Sequence, residues 1–276
     1  MKDLKIALTG ASGFIGTHLQ SKIDRLVVIH RDDSLESIHV KLQGVDAVIN
    51  LAGAPIIKRW TASYKQTLVS SRIKITKKLV EAMKGTSVKY FISTSATGIY
   101  PDNKECDESC SDLADDFLGR LAKQWEREAL KCEKNTAILR LGVVLGKEGG
   151  ALKKMLLPFK LGLGGPIGDG SMIMSWIDIK DLIRIYAFVL DKGLTGIFNA
   201  VSPRPVTNKE FSKALGRALK RPALLPVPSI ALRLLYGQAA SVLTASKIVY
   251  PSRLLKEGFH FRYPEISKSL YHIFSS

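Results

Sequence analysis

Three evenly spaced glycines, Gly10, Gly13 and Gly16, constrain this chain most. They separate the apolar, β-rich run Lys5-Ile-Ala-Leu-Thr9 from a segment with helical patterning that opens at Phe14. A glycine turn between strand and helix lets backbone N–H groups approach a phosphate, and the helix N-terminus adds partial positive charge there. Thr9, Gly10, Ser12, Gly13, Phe14, Ile15 and Gly16 are therefore read as a turn that holds a pyrophosphate, with Phe14 and Ile15 packing the new helix on the sheet.

The next β-rich run ends in Ile29-His30-Arg31, where a site for NAD would usually offer a carboxylate to the ribose hydroxyls. Arg31 instead suits the additional 2′-phosphate of NADP(H), since a guanidinium is permanently charged and donates parallel hydrogen bonds. NADP(H) is thus expected in preference to NAD(H), although Asp32 and Asp33 follow directly. Asn50, Leu51, Ala52 and Gly53 close a further strand at the carboxyl edge, where ligands bind in open α/β sheets. Their small side chains would admit a ribose or nicotinamide; bonding of Asn50 to neighbouring backbone is the other reading.

Strands are expected at Lys5–Thr9, Leu26–His30, Ala47–Leu51, Tyr90–Thr94 and Ala137–Leu141, alternating with helical patterns. One such pattern sets Leu68, Ile75, Leu79 and Met83 on one side. This is the layout of an α/β fold of Rossmann type, a doubly wound parallel sheet, over residues 1–146. A glycine-rich passage after Gly146 marks a smaller C-terminal substrate lobe, residues 147–276, parts of which return to the core. That lobe is expected to hold a strand pair, Met174–Ile177 with Gly196–Ala200, and a helix capped by Thr207-Asn-Lys-Glu210.

The chain has 276 residues, 46% of them hydrophobic, enough for a substantial core. No targeting segment or membrane span is read from the sequence, and a cytoplasmic location is expected. Cys106, Cys110 and Cys132 form no recognisable disulfide framework, and no metal site is expected. The net charge of +16 permits phosphorylated ligands, acidic lipid or nucleic acid, yet no nucleic-acid motif accompanies it.

The segments Thr9–Gly16, Asn50–Gly53, Ser93-Thr-Ser-Ala-Thr-Gly-Ile-Tyr100 and Leu139-Arg-Leu-Gly142 occur in the order of the NAD(P)-dependent epimerase/dehydratase family, an extended branch of the short-chain dehydrogenases/reductases. The chain resembles that family. More narrowly it is similar to a subgroup of epimerase-like proteins, some labelled cell-division inhibitors, through Ser71-Arg-Ile73, Trp125-Glu126, Gly162–Pro166, Met174–Ile177 and Arg221–Pro228. The resemblance implies oxidoreductase or epimerase-like chemistry by a Ser/Thr with a helical Tyr-x-x-x-Lys. Ser95 matches the hydroxyl position, as a substrate contact or as a plain turn residue.

The tyrosine and lysine are missing. With Glu126 aligned to the acidic residue that often ends the motif, Leu118 and Ala122 take their places, on a stripe shared with Trp125, Ala129 and Cys132. The only literal Tyr-x-x-x-Lys, Tyr100–Lys104, contains Pro101, Asp102 and Asn103 and reads as a turn. Cys106, Asp107, Glu108, Cys110, Asp115 and Asp116 precede the helix as other proton carriers. The resemblance also implies that Tyr100 and Trp176 lie beside the substrate pocket; Tyr100 as a packed aromatic is the plainer reading. Arg140 reads as an anion holder or an ion-pair partner. Two functions follow: an NADP(H)-dependent enzyme with an altered acid/base set and an unidentified small-molecule substrate, or an inactive NADP(H)-binding sensor or interaction protein. A third reading assigns the positive charge to nucleic acid or an acidic membrane.

Overall fold

Strands β1 (Lys5–Thr9), β2 (Arg25–Ile29), β3 (Ala47–Asn50), β4 (Tyr90–Ala96), β5 (Asn135–Leu141) and β6 (Gly196–Ala200) form one six-stranded sheet in a computed structural model that describes residues 1 and 3–275. The order is β6-β5-β4-β3-β1-β2 and every pairing is parallel. The chain runs outward from β1 to β2, then crosses back to β3, so the carboxyl ends of β1 and β3 form the switch point where such sheets bind ligands. Thr9 and Asn50 face each other there in register.

Both faces of the sheet are covered, which is why Ile6–Leu8, Val48–Ile49 and Phe91–Ile92 are apolar without alternation. One face packs the Phe14–Gln20 and Ile179–Asp191 helices around Leu8, Ile49, Ile92, Leu139 and Phe198. The other packs the Leu35–Lys41, Ile75–Ala82 and Phe117–Ala129 helices around Ala7, Val48, Phe91 and Ile138. A third cluster, with Leu152, Phe159, Trp176, Phe211 and Leu270, joins the Gly150–Lys160, Asn208–Leu219 and Ile266–Ser275 helices. Among the described residues, no helix is long and apolar enough to cross a membrane.

The expected pairing of Met174–Ile177 with Gly196–Ala200 does not form. Gly196–Ala200 is the edge strand of the main sheet beside β5. The 174–177 run breaks at Ser175, whose hydroxyl bonds the carbonyl of Lys247 at 2.8 Å. On its two sides, Ile173–Met174 pairs with Val206–Thr207, and Trp176–Asp178 with Val143–Leu145. The Thr207 helix carries the full capping box with Glu210. The sulfurs of Cys106 and Cys110, for which the spacing showed no recognisable disulfide framework, lie against each other across a tight turn from Asp107 to Cys110.

The Leu68–Met83 pattern is two α-helices, Ala62–Val69 and Ile75–Ala82, joined by a π-helical turn at Ser70–Lys74. The wider turn carries Arg72 and Thr76 into the interior under the Asn50–Ala54 segment.

Candidate active site

The glycine turn is built by exclusion of side chains. Gly10 has φ +67°, and a Cβ there would also stand 2.9 Å from the carbonyl oxygen of Leu51. A Cβ on Gly16 would lie 2.2 Å from the Gly10 carbonyl oxygen, so only glycine lets the helix seat against the turn. Gly13 caps the helix with its backbone alone: no side chain bonds the first turn and no carboxylate stands in it. Free N–H donors at a helix start with no competing anion fit a pyrophosphate.

Phe14 anchors this helix sideways. A Cβ on Gly149 would meet the Phe14 ring at 2.4 Å, and one on Gly146 at 2.6 Å, so the loop after β5 lies flat against the first helical residue.

Thr9 and Asn50 tie the switch point together. The Thr9 hydroxyl donates to Asn50 Oδ1 at 2.7 Å and accepts the N–H groups of Leu51 and Ala52 at 3.1 and 3.2 Å. Asn50 Nδ2 donates to Thr76 Oγ1 at 2.9 Å, which also accepts the Trp125 indole N–H at 2.9 Å. Both Thr9 and Asn50 are buried, so the structure gives them a framework role that shapes the Leu51–Gly53 edge. Behind Gly53 stands Arg72, buried, donating to the Ala54 carbonyl at 2.9 Å with no carboxylate within 4 Å among the described residues. Burial pushes its pKa down to about 10. Only Ser71-Arg-Ile73 hinted at it.

At the end of β2, Arg31 is exposed and makes no hydrogen bond or ion pair within the described residues. The neighbouring Asp33 is already engaged, accepting from the His30 N–H at 2.8 Å and from Lys41 Nζ at 2.5 Å. Partial burial alone would raise the Asp33 pKa; Lys41 and the His30 amide outweigh it and hold the carboxyl below its ordinary value. Lys78 donates to the Asp33 carbonyl at 2.8 Å, which adds a second cation at this strand end.

Ser95, Glu126, Arg140, Tyr100 and Asn199 form one buried chain of polar contacts behind the crevice. Ser95 Oγ donates to Glu126 Oε1 at 2.6 Å, Arg140 grips both Glu126 oxygens at 2.8 and 2.7 Å, and Arg140 Nη1 donates to the Tyr100 oxygen at 2.8 Å. The Tyr100 hydroxyl donates to Asn199 Oδ1 at 2.9 Å. Burial raises the Tyr100 pKa despite the pull of Arg140. Burial acts to lower the Arg140 pKa, and its bonds to Glu126 raise it further than that.

This network reassigns several sequence readings. Ser95 spends its proton on Glu126, leaving none to donate to a substrate oxygen in this arrangement. Arg140 is an ion-pair partner. Tyr100 and Trp176 are fully covered and face no open cavity: the first is held inside the network, and the second packs in the third core with its indole N–H on the Arg204 carbonyl. Lys104 pairs with Asp112, outside the network that holds Tyr100, so these two form no catalytic dyad.

Leu118 and Ala122 sit on the inward stripe with Trp125 and Ala129, Leu118 beside Gly98, as the spacing predicted. A cavity of about 540 Å³ opens outward from Leu118, walled by Trp60, Asp116 and Phe117 on one side and Arg233 and Gln238 on the other. Asp116 is the one carboxylate on its wall, and it caps the Phe117–Ala129 helix through the Gly119 N–H at 2.7 Å. Of the other acids considered, Glu108 is committed to the N–H groups of Asn199 and Arg253, Asp107 to Ser109, and Asp115 is exposed beside Arg120 and Lys123.

Residues 6–200 match the NAD dependent epimerase/dehydratase family, and residues 227–273, which supply Arg233 and Gln238 to the cavity wall, match a domain of unknown function, DUF1731. The chain is 33% identical to an epimerase family protein SDR39U1 homolog, chloroplastic, of Arabidopsis thaliana, over 97% of this chain and 86% of that protein. It is 35% identical to an epimerase family protein of Staphylococcus aureus, over 95% and 96% of the two chains. Its fold superposes on a crystal structure of human epimerase family protein SDR39U1 with NADPH, at TM-score 0.92 and 32% identity, covering 100% and 99% of the chains. A dTDP-4-dehydrorhamnose reductase of Bacillus anthracis, at TM-score 0.82 and 16% identity over 100% and 99% of the chains, shares the fold. The protein is a member of the NAD dependent epimerase/dehydratase family.

Proposed function

We propose that the protein binds NADP(H) and uses it in epimerase-like or oxidoreductase chemistry on a small molecule that enters the cavity beside Leu118. The observation that carries this reading is the pairing of an uncapped, carboxylate-free helix start at Gly13 with an unengaged Arg31 at the end of β2. The first fits a pyrophosphate and the second a 2′-phosphate. The human relative crystallised with NADPH is consistent with that cofactor.

The nicotinamide, when bound, gives or takes the hydride. Gly10, Gly13 and Gly16 admit the phosphates, the Leu51–Gly53 edge held by Thr9 and Asn50 borders the crevice, and Leu118 lines the cavity with Ala122 packed against Ile99 and Tyr100. Neither residue moves a proton. That task falls to Asp116, the exposed carboxyl on the cavity wall. Arg31→Ala tests the cofactor assignment by fluorescence titration: NADPH affinity should fall about tenfold or more while NADH affinity changes little. Equal losses for both nucleotides would remove Arg31 from the 2′-phosphate, and no binding of either by the unmodified protein would overturn the reading as a whole.

A further inference from the structure

The Ser229–Tyr236 helix buries none of its side chains. Ile230 is 69% exposed, Leu234 74% and Leu235 67%, with Ile230 and Leu234 one helical turn apart on a common side. More leucines stand out nearby: Leu157, Leu161, Leu163 and Leu224, the last 80% exposed. Side-chain bonds to backbone carbonyls hold the segments that carry them together. Arg59 reaches the Leu234 carbonyl at 3.5 Å, Lys154 reaches the Ile57 carbonyl at 2.8 Å, and Arg221 reaches the Lys160 carbonyl at 3.0 Å. The 57–59 loop thus links the Gly150–Lys160 helix to the Ser229–Tyr236 helix, and Arg221 closes the far end.

The side chains of these segments carry charge of one sign. Residues 47–80, 149–168 and 211–256 contain no aspartate or glutamate at all. Lys213, Arg217, Lys220 and Arg221 border a cleft that ends at Leu224. Exposed leucines on segments rich in lysine and arginine and without an acid of their own make a surface that asks for a partner both apolar and anionic.

We propose that this face seats the protein reversibly on an anionic lipid bilayer surface. The leucines would enter the boundary between headgroups and acyl chains, while the flanking cations meet lipid phosphates. A second copy of the chain fits poorly, because a symmetric contact sets the cationic patch against itself and each copy carries a net charge of +16. A nucleic-acid backbone would satisfy the cations but leave the leucines in water.

Co-sedimentation with vesicles tests the proposal on the full chain. The protein should pellet with vesicles of equimolar phosphatidylcholine and phosphatidylglycerol, remain in solution with phosphatidylcholine alone, and be released as salt is raised. Ile230→Ser with Leu234→Ser, both on exposed positions, should weaken binding about tenfold or more. Lys213→Gln with Arg217→Gln should weaken it through charge alone, and NADPH titration should stay unchanged in both variants. Absence of pelleting with the anionic vesicles would overturn the proposal, as would undiminished pelleting of the serine variant. A concentration-dependent dimer that the serine variant abolishes would reassign the face to a second copy and overturn it likewise. The pelleting and dimer outcomes do not depend on whether the nucleotide reading holds.

Discussion

Arg140 holds Glu126 by two bonds, Nε to Oε1 at 2.8 Å and Nη2 to Oε2 at 2.7 Å, with both side chains about 5% exposed. The pair joins a strand of the sheet to the helix where the family's tyrosine and lysine would stand. A buried ion pair contributes less by its attraction than it costs when one partner is removed, since the other is left charged and unpaired. Arg140→Met and Glu126→Leu should each destabilise the fold by about 3–5 kcal/mol in urea unfolding, and the double variant by much less than the two together. Ser95→Ala, which removes one bond to the same carboxylate, should cost about 1.5–3 kcal/mol. Additive losses for Arg140 and Glu126 would show that the pair is not a unit.

Gly16 carries the close approach of helix and turn. Its missing Cβ leaves room for the carbonyl oxygens of Gly10 and Ala11, which would stand 2.2 and 2.7 Å from an added methyl. Both are backbone atoms and cannot swing aside. Gly16→Ala should therefore destabilise by about 3 kcal/mol or more and abolish nucleotide titration, whereas Gly44→Ala, strained by a φ of +69° but with only the flexible end of Lys5 nearby, should cost about 1 kcal/mol and leave nucleotide binding intact. Intact binding in Gly16→Ala would show that the turn tolerates a wider seat.

The glycine turn was legible because its chemistry is local: strand, turn and helix occupy consecutive residues. Leu118 and Ala122 were legible because helical spacing fixes which positions share a side. Asn50 was legible in part: it accepts the neighbouring Ala52 N–H at 3.2 Å, as one of its two readings had it, but its partners Thr9 and Thr76 are 41 and 26 residues away and a single sequence does not show which polar pair meets. Ser95 and Glu126 are separated by 31 residues, so the commitment of the hydroxyl was equally hidden. Tyr100 is the packed aromatic of its plainer reading, whereas Trp176 had the residue type of a pocket and direction, which the pattern leaves open, placed it inside. Arg72 depended on a π-helical turn, and an extra residue in a turn has no signature in apolar spacing.

Glu108 links folding to pH. Burial raises its pKa above the ordinary 4.5, and its bonds to the Asn199 and Arg253 amides offset this only in part. Between the unfolded value and the raised folded value, the native state binds more protons than the unfolded chain, so stability falls as pH rises through that window and then levels off. Melting temperatures across the acid-to-neutral range should decline by this amount in the natural protein and be flatter in Glu108→Gln. The same decline in both would assign the pH dependence elsewhere.

The contact between Phe14 and Gly149 predicts coupling between the start of the Gly150–Lys160 helix and nucleotide affinity. Gly149 has φ −162°, extended backbone that alanine adopts without strain, so any effect of Gly149→Ala comes from the methyl alone. That methyl would stand 2.4 Å from Cγ of Phe14, and it is not the tip of a flexible chain that it meets but the root of a ring fixed between Gly146, Gly150 and His18. The ring must shift, and it shifts the residue whose N–H opens the helix. NADPH affinity should fall about tenfold although position 149 reaches no phosphate-facing donor. Phe14→Ala removes Cγ and Cδ2, the two atoms nearest the methyl, and leaves only Cβ at 2.6 Å, so Phe14→Ala combined with Gly149→Ala should bind NADPH more tightly than Gly149→Ala alone. Unchanged affinity in Gly149→Ala would mean that the loop after β5 yields to the methyl and leaves the turn undisturbed.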